Sequence, residues 1–319
     1  MKKDSKIYIA GNRGLVGSAI ERRLKSGGFE SLITSDRDDF DLTDPAATDA
    51  FFDREKPEYV FLAAAKVGGI KANDTYPADF IRINLQIQTN VLDAAHCHNV
   101  KKLLFLGSSC IYPKHAPQPM KEEHLLTGLL EPTNDAYAIA KIAGIVMCQS
   151  YNRQYGTNFM AAMPTNLYGP GDNFDPETSH VLPAMIQRFH EAKVAGAPKI
   201  TLWGTGTPKR EFLYVEDLAD ALVFMIERFE PTREKTFLNV GVGDDITIKG
   251  LAGLVREVVG YEGVMEWDTS MPDGTPRKLL DVSRLNELGW RANHELKDGI
   301  QKTYDWFIEN KRGFKKNDG

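Results

Sequence analysis

Short apolar runs alternate with longer segments of helical period over the first half of the chain. Ile7–Ala10 is a strand-like run that stops at a glycine, and a helical pattern from Leu15 to Leu24 follows it. The strand-like pattern returns at Leu32–Ile33, Tyr59–Leu62, Lys102–Leu106 and Phe159–Met163, with helix-period segments at 45–55, 78–98 and 135–155. Such alternation is the pattern of βαβ units around a parallel sheet, so the expected class is α/β with a doubly wound sheet. Ligands of these sheets sit beyond the carboxyl ends of the strands.

After about Pro164 the rhythm changes. Pro and Gly punctuate 164–176 and 204–208, and only Phe237–Val240 reads clearly as a further strand. This predicts a second, smaller α/β domain. The expected division is 1–163 plus about 212–241 for the first domain and 164–211 plus about 242–319 for the second. The tail Lys315–Gly319 is expected to be disordered.

Composition narrows the class. The chain has 319 residues, 42% hydrophobic and 26% charged, an ordinary globular balance. A net charge of −5 supplies no global field for nucleic acid or an anionic membrane. Cys97, Cys110 and Cys148 are odd in number and widely spaced, giving neither a disulfide framework nor a metal spacing. No secretory leader and no run of roughly 20 apolar residues is found, so the reading is a cytoplasmic protein without a membrane partner, a nucleic-acid partner or a metal.

The first strand runs into Gly11-Asn12-Arg13-Gly14-Leu15-Val16-Gly17 and then into a helix. Glycines let the backbone turn tightly and approach a pyrophosphate, whose charge rests on the helix N-terminus. A glycine triplet alone could be a structural turn; the strand before it and the helix after it supply the context of a dinucleotide site. The sheet is therefore expected to be Rossmann-type. Arg13 and Arg37 could clamp a 2′-phosphate, whereas Asp36 stands near the position of a carboxylate that binds an unphosphorylated ribose. Two arginines outweigh one aspartate, and NADP(H) is the expected cofactor.

Tyr137-Ala-Ile-Ala-Lys141 lies in a helical pattern, which puts Tyr137 and Lys141 on one face. A nearby ammonium should favour the phenolate and lower the tyrosine pKa from its usual value of about 10, so that the phenol can exchange protons. By itself the spacing also fits a helix with a snorkelling lysine. Leu106-Gly107-Ser108-Ser109-Cys110 closes the strand 102–106 at the ligand edge, where a serine hydroxyl could share the hydrogen bond to a substrate oxygen or merely cap a turn.

Glycine turn, strand-end serine and Tyr-x-x-x-Lys, in this order, resemble the extended short-chain dehydrogenase/reductase family that acts on nucleotide sugars. Ala63–Gly69, Asn73–Phe80, Leu106–Pro113, Glu131–Asn134, Met163–Pro170 and Pro272–Lys278 extend the likeness to an epimerase–reductase branch, over Ile7 to about Phe307. Sugar-nucleotide dehydratases carry an acidic pair after the strand-end Ser/Thr, and this chain has none there.

The resemblance implies that GDP-4-keto-6-deoxy-D-mannose is epimerised at C3 and C5 and that its C4 ketone is then reduced by NADPH. It implies Tyr137, Lys141 and Ser108 as the proton-exchanging group, Cys110 as base and His180 as acid. Leu106–Ser109, Lys141, His180 and the loop Pro164-Thr165-Asn166-Leu167 would meet the cofactor. Arg188, Trp203, Arg210, Asp273 and Lys278 would meet the substrate nucleotide, where guanidinium forks suit phosphates and an indole offers a flat wall. It further implies a homodimer joined through the helices near 78–98 and 135–155. The rival reading is an NAD-dependent sugar-nucleotide epimerase that recycles its hydride.

Overall fold

The computed structural model describes residues 1–35, 40–175, 178–232, 235–271 and 273–310. Arg37 and Asp36, and with them the choice between a ribose hydroxyl and a 2′-phosphate, lie outside the described residues, as do Pro272 and the tail from 311.

The expected strands form one six-stranded sheet in the order Phe237–Val240, Phe159–Pro164, Lys102–Leu106, Tyr59–Leu62, Ile7–Ala10, Leu32–Thr34. Every neighbouring pair is parallel. The chain leaves Ile7–Ala10 towards one edge and returns on its other side at Tyr59–Leu62, so the direction of winding reverses between these two strands. That reversal opens a crevice at their carboxyl ends. The α/β, doubly wound expectation is borne out.

Helices cover both faces because the strands present apolar side chains to both. On one face Tyr8, Val60, Leu103, Phe105 and Phe159 pack with Val91, Leu92 and Ile145. On the other, Ile7, Ile9, Phe61, Leu104 and Met160 pack with Ile20, Leu24, Leu218 and Leu222. A third cluster gathers C-terminal residues, among them Phe189, Leu202, Leu251, Val255 and Phe307. Each large side chain so buried contributes about 1.5–3 kcal/mol. Smaller sheets accompany it: Lys209–Arg210 between Ile246–Thr247 and Arg277–Lys278, Val264–Asp268 beside Lys199–Trp203, and Asn166–Tyr168 beside Phe212–Tyr214.

The helix Asp135–Tyr155 matters most for the site. It ends at Gly156, whose φ of 68° is a left-handed cap that glycine adopts at little cost. Glycine at 144 lets the helix rest against the Phe105 ring of the sheet: a Cβ there would stand 2.4 Å from Cζ of Phe105. No helix among the described residues is long and apolar enough to cross a membrane.

Candidate active site

The glycine turn closes as expected. Gly11 has φ +88°, and a Cβ on it would stand 2.8 Å from the Ala64 nitrogen, where the first and third strands of the chain end side by side. A Cβ on Gly17 would stand 2.0 Å from the Gly11 carbonyl oxygen, so the helix Leu15–Ser26 starts against the turn itself. Its N-cap, Gly14, offers no side-chain acceptor, leaving the first backbone N–H groups directed outward with the positive end of the helix dipole. The buried Oδ1 of Asn12 has no partner. A cradle without side chains and an open helix N-terminus both fit a dinucleotide pyrophosphate, whereas the Asn12 oxygen, an acceptor, suits a hydroxyl donor. Leu15 and Val16 pack into the core below, and Arg13 is exposed at the turn.

At the end of the strand Lys102–Leu106 the chain turns through Gly107, whose N–H donates to the Ala162 carbonyl at 2.9 Å. Ser108 caps a short 3-10 turn, Ser109–Ile111, accepting the Cys110 N–H at 3.4 Å. That turn delivers Ser108 and Cys110 to the same point, where the Ser108 hydroxyl lies close enough to the Tyr137 phenol and the Cys110 thiol to lower the pKa of each. Lys141 reaches across from the helix. Its ammonium donates to the Leu106 carbonyl at 2.8 Å and lies 4.7 Å from the Phe105 ring centre and 5.7 Å from that of Tyr137.

The electrostatics differ from expectation in one respect. Burial dominates at Tyr137 and holds its pKa above the ordinary value, with a further rise from Cys110 and only a partial offset from the Ser108 hydrogen bond. The reading that Lys141 lowers this pKa is therefore corrected: the phenol of Tyr137 holds its proton more firmly than a free tyrosine does. Burial instead brings Lys141 down to about 8. It also pushes the Cys110 thiol up, opposed most strongly by the Lys278 ammonium and then by Ser108 and Lys141.

His180 is the N-cap residue of the helix Val181–Val194, with its ring reachable by solvent but crowded by protein. Loss of hydration, and secondarily Lys278, lower its pKa. Lys278 thus acts on Cys110 and His180 alike. Its own pKa is lowered mainly by burial, with Arg210 adding to the fall and Cys110 and Glu131 opposing it. Arg210 donates to the carbonyls of Lys209 at 2.7 Å and Thr275 at 2.6 Å. Asp273 accepts from the Thr205 N–H at 2.9 Å and hydroxyl at 2.6 Å, which organises the loop behind Arg210. Arg188 donates to the Thr201 carbonyl at 3.1 Å on the strand that carries the exposed Trp203.

Pro164-Thr165-Asn166-Leu167 leaves the sheet beside the strand Phe237–Val240, with the Thr165 N–H bonded to the Val240 carbonyl at 3.0 Å. Asn166 Nδ2 and Thr165 Oγ1 both donate to the Glu211 carbonyl, at 2.8 and 3.3 Å. Sequence reasoning missed Glu211, although a carboxylate between Arg210 and the apolar run Phe212–Tyr214 is a signal for a buried acid. It also missed Asn84, which holds the loop after Leu62 by accepting the Lys66 N–H at 2.9 Å and donating to the Lys66 carbonyl at 2.9 Å.

A parallel sheet with a glycine turn at its winding reversal and a Ser–Tyr–Lys group at a nearby strand end defines a dinucleotide-dependent enzyme with a proton-exchanging group beside the cofactor site. The chain belongs to the NAD dependent epimerase/dehydratase family, whose model matches residues 7–241. It is 60% identical to GDP-L-fucose synthase 1 of Arabidopsis thaliana over 97% of this chain and 94% of that protein. It is 55% identical to the GDP-L-fucose synthase of Escherichia coli (strain K12), over 97% and 98% respectively. Among solved structures, a GDP-D-glycero-L-gluco-heptose synthase from Campylobacter jejuni, in the presence of NADPH, matches with TM-score 0.92 and 39% identity, over 97% of this chain and 99% of that one.

Proposed function

We propose that the chain carries out the reaction of the GDP-L-fucose synthases. GDP-4-keto-6-deoxy-D-mannose is epimerised at C3 and C5, and its C4 ketone is reduced with NADPH to give GDP-L-fucose. The observation that carries this reading is a thiol and an imidazole, Cys110 and His180, both in the field of Lys278, with the thiol beside a reductase-type Ser–Tyr–Lys group. A plain reductase needs only the latter.

The hydrogens at C3 and C5 are acidic because each lies alpha to the ketone. Cys110, which burial keeps as a thiol until the Lys278 ammonium helps it ionise, removes one as thiolate, and the electron pair becomes an enolate with its charge on the C4 oxygen. Tyr137 and Ser108 donate hydrogen bonds to that oxygen, stabilising charge where it develops. His180 returns a proton to carbon from the opposite face, which inverts the centre. NADPH, when bound, supplies a hydride to C4. Tyr137 gives its phenolic proton to the oxygen in that step, and Lys141 beside it offsets the negative charge left on the phenol. Gly11–Gly17, Leu106–Ser109 and Pro164–Leu167 would hold the dinucleotide. Arg188, Trp203, Arg210, Asp273 and Lys278 would hold the GDP end, all of them on the segments 164–211 and 242–319.

The protein is taken to be a cytoplasmic homodimer. Ile139 and Val146, 47% and 40% exposed, stand seven residues apart on the outer face of the helix Asp135–Tyr155, as a helix–helix seam requires. Ile139→Glu with Val146→Glu should halve the mass measured by analytical ultracentrifugation.

The decisive test is direct. Purified protein with GDP-4-keto-6-deoxy-D-mannose and NADPH should give GDP-L-fucose by NMR; a product keeping the manno configuration at C3 and C5 would refute the epimerase half. The same assay with NADH measures cofactor preference. A retained dinucleotide with no net oxidation would favour the recycling epimerase, and turnover of a GDP-heptose alone would place the chain with the heptose synthase.

A further inference from the structure

Arg210 and Lys278 are neighbours because Lys209–Arg210 and Arg277–Lys278 pair in parallel, with Lys278 opposite Arg210. Two cations held side by side with little water repel each other, so something must hold the strands to a set spacing. Glu211, the next residue, is wholly buried. One of its carboxylate oxygens accepts the N–H groups of Val242 and Gly243, both at 2.7 Å. The other accepts the Leu280 N–H at 3.0 Å, two residues beyond Lys278. Its backbone carbonyl accepts from Asn166 and Thr165. Residue 241 is glycine where a Cβ would stand 2.2 Å from the Glu211 carboxylate.

Four segments therefore meet on this residue: the strand of Arg210, the strand of Lys278, the end of the sheet strand Phe237–Val240, and the loop 164–167. A buried carboxylate costs several kcal/mol to dehydrate, and a stability staple alone could be neutral. Here one side chain must accept three converging N–H donors, a task for which an amide, with one acceptor oxygen and two donor hydrogens, is unsuited.

We propose that Glu211 is a positioning residue for catalysis: it sets the span between the cationic pair Arg210–Lys278 and the loop Pro164–Leu167, and thereby where the reacting sugar carbon stands against the cofactor. This rests on the assignment of those cations to the substrate diphosphate and of that loop to the nicotinamide.

Glu211→Gln keeps the size of the side chain but turns one acceptor into a donor facing N–H groups. With the complete protein, the KM for GDP-4-keto-6-deoxy-D-mannose and the inhibition constant of GDP should each rise by about tenfold or more, and kcat should fall. The dissociation constant of NADPH should rise far less, by no more than about threefold, because the Gly11–Gly17 turn is untouched and only the loop Pro164–Leu167, at the nicotinamide end, is disturbed. Val255→Ala, in the C-terminal core, serves as a control that lowers Tm without changing KM. Wild-type KM in Glu211→Gln would overturn the proposal. So would a parallel loss of GDP and NADPH affinity, the mark of a merely loosened fold. If the amide variant does not fold, Glu211→Asp, which keeps the charge but draws it back by one methylene, should show the same KM-weighted pattern at smaller size. A wild-type protein that turns over no substrate would refute the functional reading, while the GDP and NADPH affinities of the variants would still decide the role of Glu211.

Discussion

Replacing Gly144 by alanine tests whether a helix-to-sheet contact sets the catalytic geometry. The added Cβ would stand 2.4 Å from Cζ and 2.5 Å from Cε1 of Phe105. Carbon atoms rest at about 3.5–4.0 Å, so ring and helix must separate by roughly 1 Å. Phe105 is 1% exposed and walled in by the core, so the helix is the part free to yield. Lys141 lies one turn away on that helix, and its 2.8 Å bond to the Leu106 carbonyl would stretch to about 3.8 Å, beyond hydrogen-bond range. Overpacking should cost about 1–3 kcal/mol, offset by about 1 kcal/mol from the better helix propensity of alanine. A 1 Å error at the reacting groups should lower kcat about 10²-fold.

NADPH oxidation with the keto sugar and thermal unfolding, run on the same samples, separate the two effects. Gly253→Ala is the matched control: no atom lies within 4 Å of its Cβ, so it should add about 0.5–1 kcal/mol and leave kcat alone. Phe105→Leu added to Gly144→Ala should restore room and part of the rate. A folded Gly144→Ala protein with kcat within about twofold of wild type would refute the reasoning.

Other outcomes follow from the same site. Tyr137→Phe should lose at least about 10²-fold in ketone reduction while binding NADPH as wild type does, checked by stopped-flow and fluorescence titration. Cys110→Ser should slow solvent-deuterium exchange at C3 and C5 more than it slows reduction of an already epimerised ketone; equal effects would remove Cys110 as the base. Lys278→Met should push the Cys110 thiol pKa further up, since the ammonium is the largest of the influences holding it down, and move the exchange profile to higher pH. Lys141 is protonated below its pKa of about 8, so kcat for reduction should fall as pH rises through that value. The same depressed pKa makes folding stability rise with pH from about 8 to the unfolded value near 10.4, readable from urea midpoints.

Local rules were enough for the parts of this protein that are local. Gly11-x-x-Gly14-x-x-Gly17 after an apolar run, Tyr137 and Lys141 at helical spacing, and Ser108 at a strand end could all be read along the chain. Each depends on backbone conformation within a few residues. Tertiary structure decided the rest. That the Tyr137 pKa rises where its lysine neighbour suggested a fall follows from burial, a property of everything packed around it. That Lys278 acts on Cys110 follows from the joining of distant segments, with the Met120 N–H donating to the Leu279 carbonyl at 2.8 Å. Nothing along the chain marks Gly144, and the apolar run after Glu211 hints only at burial, until the Phe105 ring and three backbone N–H groups, brought from distant segments, show what each one meets. Periodicity carries the faces of helices and strands, whereas dielectric surroundings and contacts between remote segments exist only once the chain has closed on itself.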